Sequence, residues 1–233
     1  MNAKESYVYD VFQNIADGYD RANLRISAGW HMIWKRTAVK RLCKAMGDKP
    51  AILDIGCGTG DMLRLISENR PDARLTGVDF SPNMLEKAGD NCRDIRDLEL
   101  VQGNAMELPA ADGSFDGVSI SFALRNTADH ERVLKEALRV LKPGGRLVCI
   151  DSFVPENPLI RPFYQIYFSV FMPFLGGGIR YLREYRWLKQ STCDFISPKE
   201  LMRLMRKTGF RRIAYKRFLF GACVCVSGDR RIG

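Results

Sequence analysis

A short apolar run that ends in a loop of glycines constrains this chain more than any other feature. Residues 50–55 read Pro-Ala-Ile-Leu-Asp-Ile, and Gly56-Cys57-Gly58-Thr59-Gly60 follow without a break. A run of that kind, closed by glycine, reads as a buried strand. From Asp61 to Asn69 the apolar residues Met62, Leu63, Leu65 and Ile66 recur at helical spacing. Strand, tight loop, helix is the opening unit of an α/β fold. Glycines in such a loop let the backbone approach a ligand with no Cβ in the way.

The same alternation continues along the chain. Arg74–Val78 predicts a second strand ending at Asp79, and Ser81-Pro82 starts a helix with a serine cap and proline in the first turn. Leu98–Gln102 and Phe115–Phe122 predict strands three and four. Asp129–Leu141 predicts an amphipathic helix stopped by Lys142-Pro143-Gly144-Gly145, and Arg146–Ile150 the fifth strand. Ser197-Pro198 opens a helix to about Lys207, ending at Gly209, and β-rich pieces near 211–217 and 220–226 close the chain. With almost nothing between them, those last two pieces form an antiparallel hairpin at the sheet edge. The expected fold is α/β: a doubly wound, seven-stranded, mostly parallel sheet with an antiparallel C-terminal hairpin strand and helices on both faces. One domain, 1–233, is expected, with 46–151 as the core and 196–233 as a C-terminal helix and hairpin. Residues 1–45 form a helical N-terminal cap. Residues 152–195 break the alternation with Pro155, Pro158, Pro162, Pro173 and Gly176-Gly177-Gly178 among aromatics, which reads as a cap insertion covering a substrate.

Composition narrows the setting. The chain is 46% hydrophobic and 27% charged, ordinary for a globular enzyme. Met1-Asn2-Ala3-Lys4-Glu5 carries no signal-peptide pattern. The oily stretch Phe163–Leu175 is interrupted by Gln165, Ser169 and Pro173 and falls short of the roughly 20 apolar residues of a membrane span. Seven cysteines without a Cys-x-x-Cys pair point to neither a disulfide framework nor a zinc site, so no metal is expected and a cytoplasmic location fits. The net charge of +9 suits a solvated surface, an anionic membrane face or nucleic acid.

Spacing discriminates among loops. Dinucleotide sites want G-x-G-x-x-G and phosphate loops want G-K-[ST]. Here the pattern is G-x-G-x-G followed by Asp61, a shorter loop suited to a cofactor with no pyrophosphate. Asp79, 19 residues beyond Gly60, ends the second strand. It can accept hydrogen bonds from both hydroxyls of a ribose, or cap the helix at Ser81. Asn104-Ala105 follows the third strand where an adenine would lie, although an asparagine there is also a turn residue, and Ser121 ends the fourth. Asp54 either orients the loop or accepts from its amides.

These residues resemble class I methyltransferases: Asp54-Ile55-Gly56-Cys57-Gly58-Thr59-Gly60, Val78-Asp79, Gly103-Asn104-Ala105 and Val140-Leu141-Lys142-Pro143-Gly144-Gly145-Arg146. Ile120-Ser121-Phe122-Ala123-Leu124-Arg125-Asn126 is similar to the I-S-F-G-L-R-N signature of the ubiquinone/menaquinone biosynthesis C-methyltransferases. Val11-Phe12, Tyr19-Asp20, Asn23, Trp34-Lys35-Arg36 and Tyr185-Arg186-Trp187-Leu188 agree with that family at both ends. The chain departs from it at Ala123, at Trp187, at Arg21-Ala22 and at Gly29-Trp30-His31. The resemblance implies S-adenosyl-L-methionine as cofactor, held by Asp54, Gly56, Gly58, Thr59, Gly60, Asp79, Asn104, Ala105 and Ser121.

The implied reaction is methyl transfer to a ring carbon of a demethylated isoprenoid quinol, demethylmenaquinol or a ubiquinol precursor. Such a carbon is nucleophilic once its neighbouring hydroxyl loses a proton, so the site needs a base or a cation for the phenolate. Arg125 is the expected cation, unless it forms a surface ion pair. Asn126 is expected to orient the other oxygen, and Tyr185 to close over the quinol or pack in the core. His31 is expected on a helix surface rather than as the base. The oily 159–175 stretch is either plain core beneath a lid or an isoprenoid channel, and with the basic charge it favours peripheral contact with the inner face of a membrane. An O- or N-methyltransferase of another small molecule shares the same cofactor half. An RNA methyltransferase rests on charge alone: an N/D-P-P-Y/F motif is missing, and Thr192-Cys193 supplies only half of a 5-methylcytosine pattern.

Overall fold

The computed structural model describes residues 3–15, 18–44, 46–167 and 182–232. Three helices come first: α1 (Ala3–Ile15), α2 (Tyr19–Ser27) and α3 (Trp30–Leu42). The glycine loop then joins β1 (Ala51–Ile55) to α4 (Asp61–Asn69), followed by β2 (Arg74–Asp79), α5 (Pro82–Asn91) and β3 (Leu98–Gln102). Next come β4 (Phe115–Ser121), a 3-10 turn at Leu124–Asn126, α6 (His130–Val140) and β5 (Leu141–Ser152). Two helices, α7 (Arg161–Ile166) and α8 (Leu182–Cys193), precede α9 (Pro198–Thr208), β6 (Arg211–Phe218) and β7 (Cys223–Asp229).

The seven strands form one sheet in the order β3-β2-β1-β4-β5-β7-β6. The pairs from β3 to β5 are parallel, while β7 runs antiparallel to both β5 and β6. The expected doubly wound sheet with its edge hairpin is therefore present. The order reverses at β1, so the β1 and β4 loops diverge and leave the crevice in which ligands of such sheets sit.

Side-chain alternation divides β1 between two cores. Leu53 and Ile55 pack with Val133, Leu134 and Ala137 of α6 and Leu201 and Met205 of α9. Ile52 packs on the other face with Ala38, Val39 and Leu42 of α3 and Met62, Leu63 and Ile66 of α4. Every residue of β1 is buried, which is why the strand reads as an unbroken apolar run. The helix caps are those the sequence implies. Ser81 accepts from Met84 N at the start of α5 with Pro82 in its first turn, and Ser197 and Glu200 form a reciprocal capping box on α9.

Two boundaries differ from expectation. The fifth strand starts at Leu141 rather than Arg146, with a register shift between Phe115 and Gly117 that absorbs Pro143-Gly144-Gly145 as an irregularity instead of a separate loop. The last strand begins at Cys223 rather than near 220. Leu219, Phe220 and Gly221 all have positive φ and form a tight turn, so two bulky residues cross into solvent before pairing resumes.

Candidate active site

The glycine loop is bent where the sequence places it. Gly56 has φ 69°, and a Cβ there would lie 2.5 Å from the Ala123 Cβ. Gly58 has φ 55° and donates its amide to Asp79 Oδ2 at 2.8 Å. The other carboxylate oxygen, Oδ1, accepts from Ser81 N at 3.0 Å. Asp79 thus ties β2 to the β1 loop and starts α5, and its burial raises its pKa despite these two amides. Asp79 therefore accepts from Ser81 N beside the start of α5, which Ser81 itself caps, and borders a cavity.

That first cavity measures about 430 Å³ and is lined by Gly56, Gly58, Asp79, Asn104, Ala105 and Ser121. Aromatic residues of the N-terminal segment close it: Tyr9 and Phe12 lie edge-on to Phe80, and Phe12 lies edge-on to Tyr19. Asn104 accepts from Met106 N at 2.9 Å and still faces the cavity. The buried Ser121 hydroxyl has no partner among the described residues. Asn126 and Thr127 complete the wall.

Three expected cofactor residues stand behind this surface. Thr59 donates to Asp20 Oδ1 at 2.6 Å, fastening α2 onto the loop. Gly60 is the residue before α4. Asp54 accepts from Ser119 Oγ at 2.6 Å on the neighbouring strand and makes no bond to the loop amides. Its second oxygen is buried without a partner among the described residues, and burial pushes its pKa up to about 7.

A second cavity of about 430 Å³ adjoins the first, and Tyr19, Ser121 and Phe122 line both. Its walls come from distant parts of the chain: Trp30 and Trp34 on α3, Phe163, Tyr164 and Tyr167 on and after α7, and Leu219 and Phe220 before β7. The Tyr167 hydroxyl donates to the Ile26 carbonyl and ties this cover to α2. Phe122, at φ 55°, turns the chain out of β4 so that the next residues fold back as the 3-10 turn.

Arg125 sits on that turn and lines the second cavity. It is no surface residue: at 5% exposure it pairs with Asp151, which is fully buried at the end of β5. One guanidinium nitrogen also donates to Phe122 O at 2.8 Å, and the buried Nε has no partner among the described residues. Asn126 donates to Phe122 O at 3.3 Å and accepts from Trp187 Nε1 at 3.1 Å, so the turn is braced against α8. The Tyr185 side chain lies outside the described residues, as does most of the Phe163–Leu175 stretch.

His31 corrects the sequence reading. Far from lying on a helix surface, it is 8% exposed and lines the second cavity beside Lys35. Burial and the Lys35 ammonium lower its pKa to about 4, so the ring is neutral at pH 7. Lys35 itself pairs with Asp61 at 2.9 Å. Tyr9, Phe12, Trp30, Tyr164 and Phe220 were not singled out by the sequence reading as site residues. Of the aromatic lining, Phe12, Tyr19, Trp34 and Phe122 carried a signal as parts of family motifs, and Trp30 as a departure from one.

Comparison with known proteins places the chain. Residues 1–229 match the model of the ubiE/COQ5 methyltransferase family. This chain belongs to that family. A demethylmenaquinone methyltransferase from Lactococcus lactis is 43% identical over 94% of this chain and 87% of the relative. One from Staphylococcus haemolyticus is 40% identical over 99% and 96%, respectively. Among solved structures, a methyltransferase from Thermotoga maritima superposes with a TM-score of 0.68 at 25% identity, covering 96% of this chain and all of the other. A phosphoethanolamine N-methyltransferase from Haemonchus contortus reaches 0.72 at 17% identity over 99% of this chain and 61% of the other, a likeness of fold alone.

Proposed function

We propose that this methyltransferase uses S-adenosyl-L-methionine to methylate a ring carbon of demethylmenaquinol, giving menaquinol. The observation that carries the reading is the pair of equal cavities meeting at Tyr19, Ser121 and Phe122, one at the glycine loop beside Asp79 and one walled by aromatics beside a buried arginine. The names borne by the bacterial relatives point to the same substrate.

The first cavity fits the cofactor by its donor set. Asp79 would accept from the ribose hydroxyls, the Gly56 and Gly58 backbone would admit the cofactor without side chains in the way, and Asn104-Ala105 would hold the base. Asp54, Thr59 and Gly60 hold the loop from behind. The cofactor supplies an electrophilic methyl on a sulfonium. What the protein adds is alignment and exclusion of water.

In the second cavity, Arg125 stabilises negative charge on the quinol oxygen, with Asp151 fixing its orientation. Asn126 is held by Phe122 and Trp187 and positions the boundary between the two cavities. The chain works as one unit, 1–233, in which 46–151 carry the cofactor and 1–45 with 152–195 form the cover. The C-terminal helix and hairpin, 196–233, complete the sheet.

An isoprenoid tail needs an apolar exit. Trp30, Phe163, Leu219 and Phe220 line the second cavity yet are 55–76% exposed as a class with Leu159. Exposed Arg25, Arg161, Lys216 and Arg217 accompany them. That combination of bulky apolar residues and positive charge supports peripheral docking on an anionic membrane, from which the quinol tail enters. No helix among the described residues is long and apolar enough to cross a bilayer.

The test is incubation with methyl-labelled S-adenosylmethionine and either reduced demethylmenaquinone or bulk RNA. Label in the quinol is the expected result. Label in RNA and none in the quinol overturns the substrate reading.

A further inference from the structure

We propose that His31 is the proton acceptor of the reaction, its Nε2 taking the quinol hydroxyl proton as the adjacent ring carbon receives the methyl group. The proposal rests on the quinol reading above, but its geometry does not.

The hydrogen bonds around the ring fix its tautomer. Ser27 has a single hydroxyl proton, and that proton goes to the Asn23 carbonyl at 2.7 Å. The Ser27 oxygen, 2.5 Å from His31 Nδ1, is therefore an acceptor toward the ring. Nδ1 must carry the hydrogen. A neutral imidazole with Nδ1–H has its lone pair on Nε2. No hydrogen bond to Nε2 exists among the described residues, and the ring lines the second cavity together with Arg125. With Nδ1 anchored to Ser27, Nε2 is the ring nitrogen left to accept a substrate proton, as general-base catalysis requires.

The surrounding charges keep this nitrogen basic in form and weak in strength. Lys35, one turn along α3, lowers the pKa together with burial, and Asp61 of α4 partly opposes it. Arg125 faces the same cavity from the other side. The ring is thus unprotonated at neutral pH but far too weak to ionise a resting phenol, whose pKa is about 10. It becomes competent as the reaction proceeds. When the ring carbon bonds to the methyl carbon, the carbon–sulfur bond breaks with its electron pair on sulfur, and the quinol ring takes on positive charge. Its hydroxyl is then strongly acidic and the proton passes to Nε2. Loss of the ring hydrogen to water restores aromaticity as Nε2 returns its proton to the oxygen. One proton leaves per turnover. Arg125 stabilises the developing oxyanion, so cation and base have separate residues.

The closing experiment has two readouts. Nitrogen-15 spectra of the histidine-labelled protein, with His31→Asn assigning the signals, report the tautomer at pH 7. An unprotonated Nε2 is expected, and its resonance should move when S-adenosylhomocysteine and a short-tailed reduced demethylmenaquinone are added together. An Nε2–H tautomer, or an Nε2 signal unmoved by a quinol that the wild type methylates, overturns the proposal.

In the second readout, His31→Asn keeps a donor to Ser27 and removes Nε2. It should lower kcat about 10²- to 10³-fold with KM little changed and S-adenosylhomocysteine affinity unchanged. Its rate should then recover about tenfold per pH unit toward the ionisation of the quinol itself, near pH 10. A merely structural residue gives no such recovery. Turnover within a few-fold of wild type, or a loss independent of pH, sinks the assignment. Failure of the wild type to methylate any quinol removes the substrate reading, while the tautomer remains a separate result.

Discussion

The walls of the two cavities are built in different ways. The first is drawn mainly from the C-terminal ends of β1, β2, β3 and β4 and the residues just beyond them, so Asp79, Asn104 and Ser121 are placed by strands that the sheet holds rigidly. The second is assembled from α2, α3, the turn after β4, the α7 region, α8 and the turn before β7, segments that no continuous element connects. Backbone geometry defines the one and side-chain contact the other. Substitutions in the first should therefore act through cofactor affinity, and those in the second through turnover, quinol entry and the fit of the cover.

The largest expected effect falls on the second cavity. Arg125→Ala leaves the fully buried Asp151 carboxylate without its cation, which costs about 3–5 kcal/mol of stability. Turnover should fall by about 10²- to 10³-fold, as for removal of one oxyanion donor. Adding Asp151→Asn to the same chain should recover most of the stability in denaturant titrations and none of the turnover. If both return together, Arg125 acts only as a structural ion pair.

Asp79→Ala addresses the first cavity. It removes a carboxylate expected to accept two ribose hydroxyls and already holding Gly58 N. At about 1.5–3 kcal/mol per charged hydrogen bond, S-adenosylhomocysteine affinity should drop at least about 100-fold by calorimetry. Quinol KM should change little. An equal loss in both would show that the two cavities do not act separately.

The contrast also explains what could be read from the chain. The placement of the glycine loop, Asp79, Asn104 and Ser121 around one cavity was legible because it follows from position at a strand end, and strands announce themselves by short apolar runs. His31 was not. Its burial depends on α2 folding back over α3 through Gly29 and on Lys35 reaching Asp61, contacts set by packing of separate helices. Arg125 was legible as a charged residue after β4, but its partner Asp151 lies 26 residues away with no pattern linking them. Phe220 was hidden for another reason: an alternating apolar run predicts a strand, and nothing local signals the positive φ at Leu219 and Phe220. Thr59 was assigned to the cofactor by motif, although the structure spends its hydroxyl on Asp20.

A smaller effect is expected at the rim. Phe220 is 74% exposed and Trp30 55% exposed, so changing both to serine removes little packing from the fold. Each large side chain withdrawn from a membrane costs about 1.5–3 kcal/mol of binding at most. Co-sedimentation with anionic vesicles should weaken about tenfold or more, while methylation of a tailless quinol in detergent-free buffer stays near wild type. Unaltered sedimentation would remove the rim from membrane docking.

The last effect separates the two regions by pH. Asp54 lies on β1 just before the glycine loop of the first cavity, and its folded pKa of about 7 stands above the ordinary 3.8. Between those values the unfolded chain has released the proton that the folded chain keeps, so this group's contribution is fully present below pH 3.8 and lost as pH rises through 7. His31, in the second cavity, behaves oppositely: its folded pKa of about 4 lies below 6.5, and its contribution to stability grows as pH rises across that window. The two slopes oppose each other between about pH 4 and 6.5 in the wild type, which hides both. Asp54→Asn removes only the first. Relative to wild type, that variant should gain up to about 2–3 kcal/mol of stability between pH 5 and pH 8. His31→Asn should shift the opposite way, gaining relative to wild type as pH falls from 6.5 toward 4. If Asp54→Asn instead loses stability toward pH 8, the carboxylate is charged in the fold and holds the glycine loop directly. The first cavity would then depend on side-chain electrostatics as much as the second does.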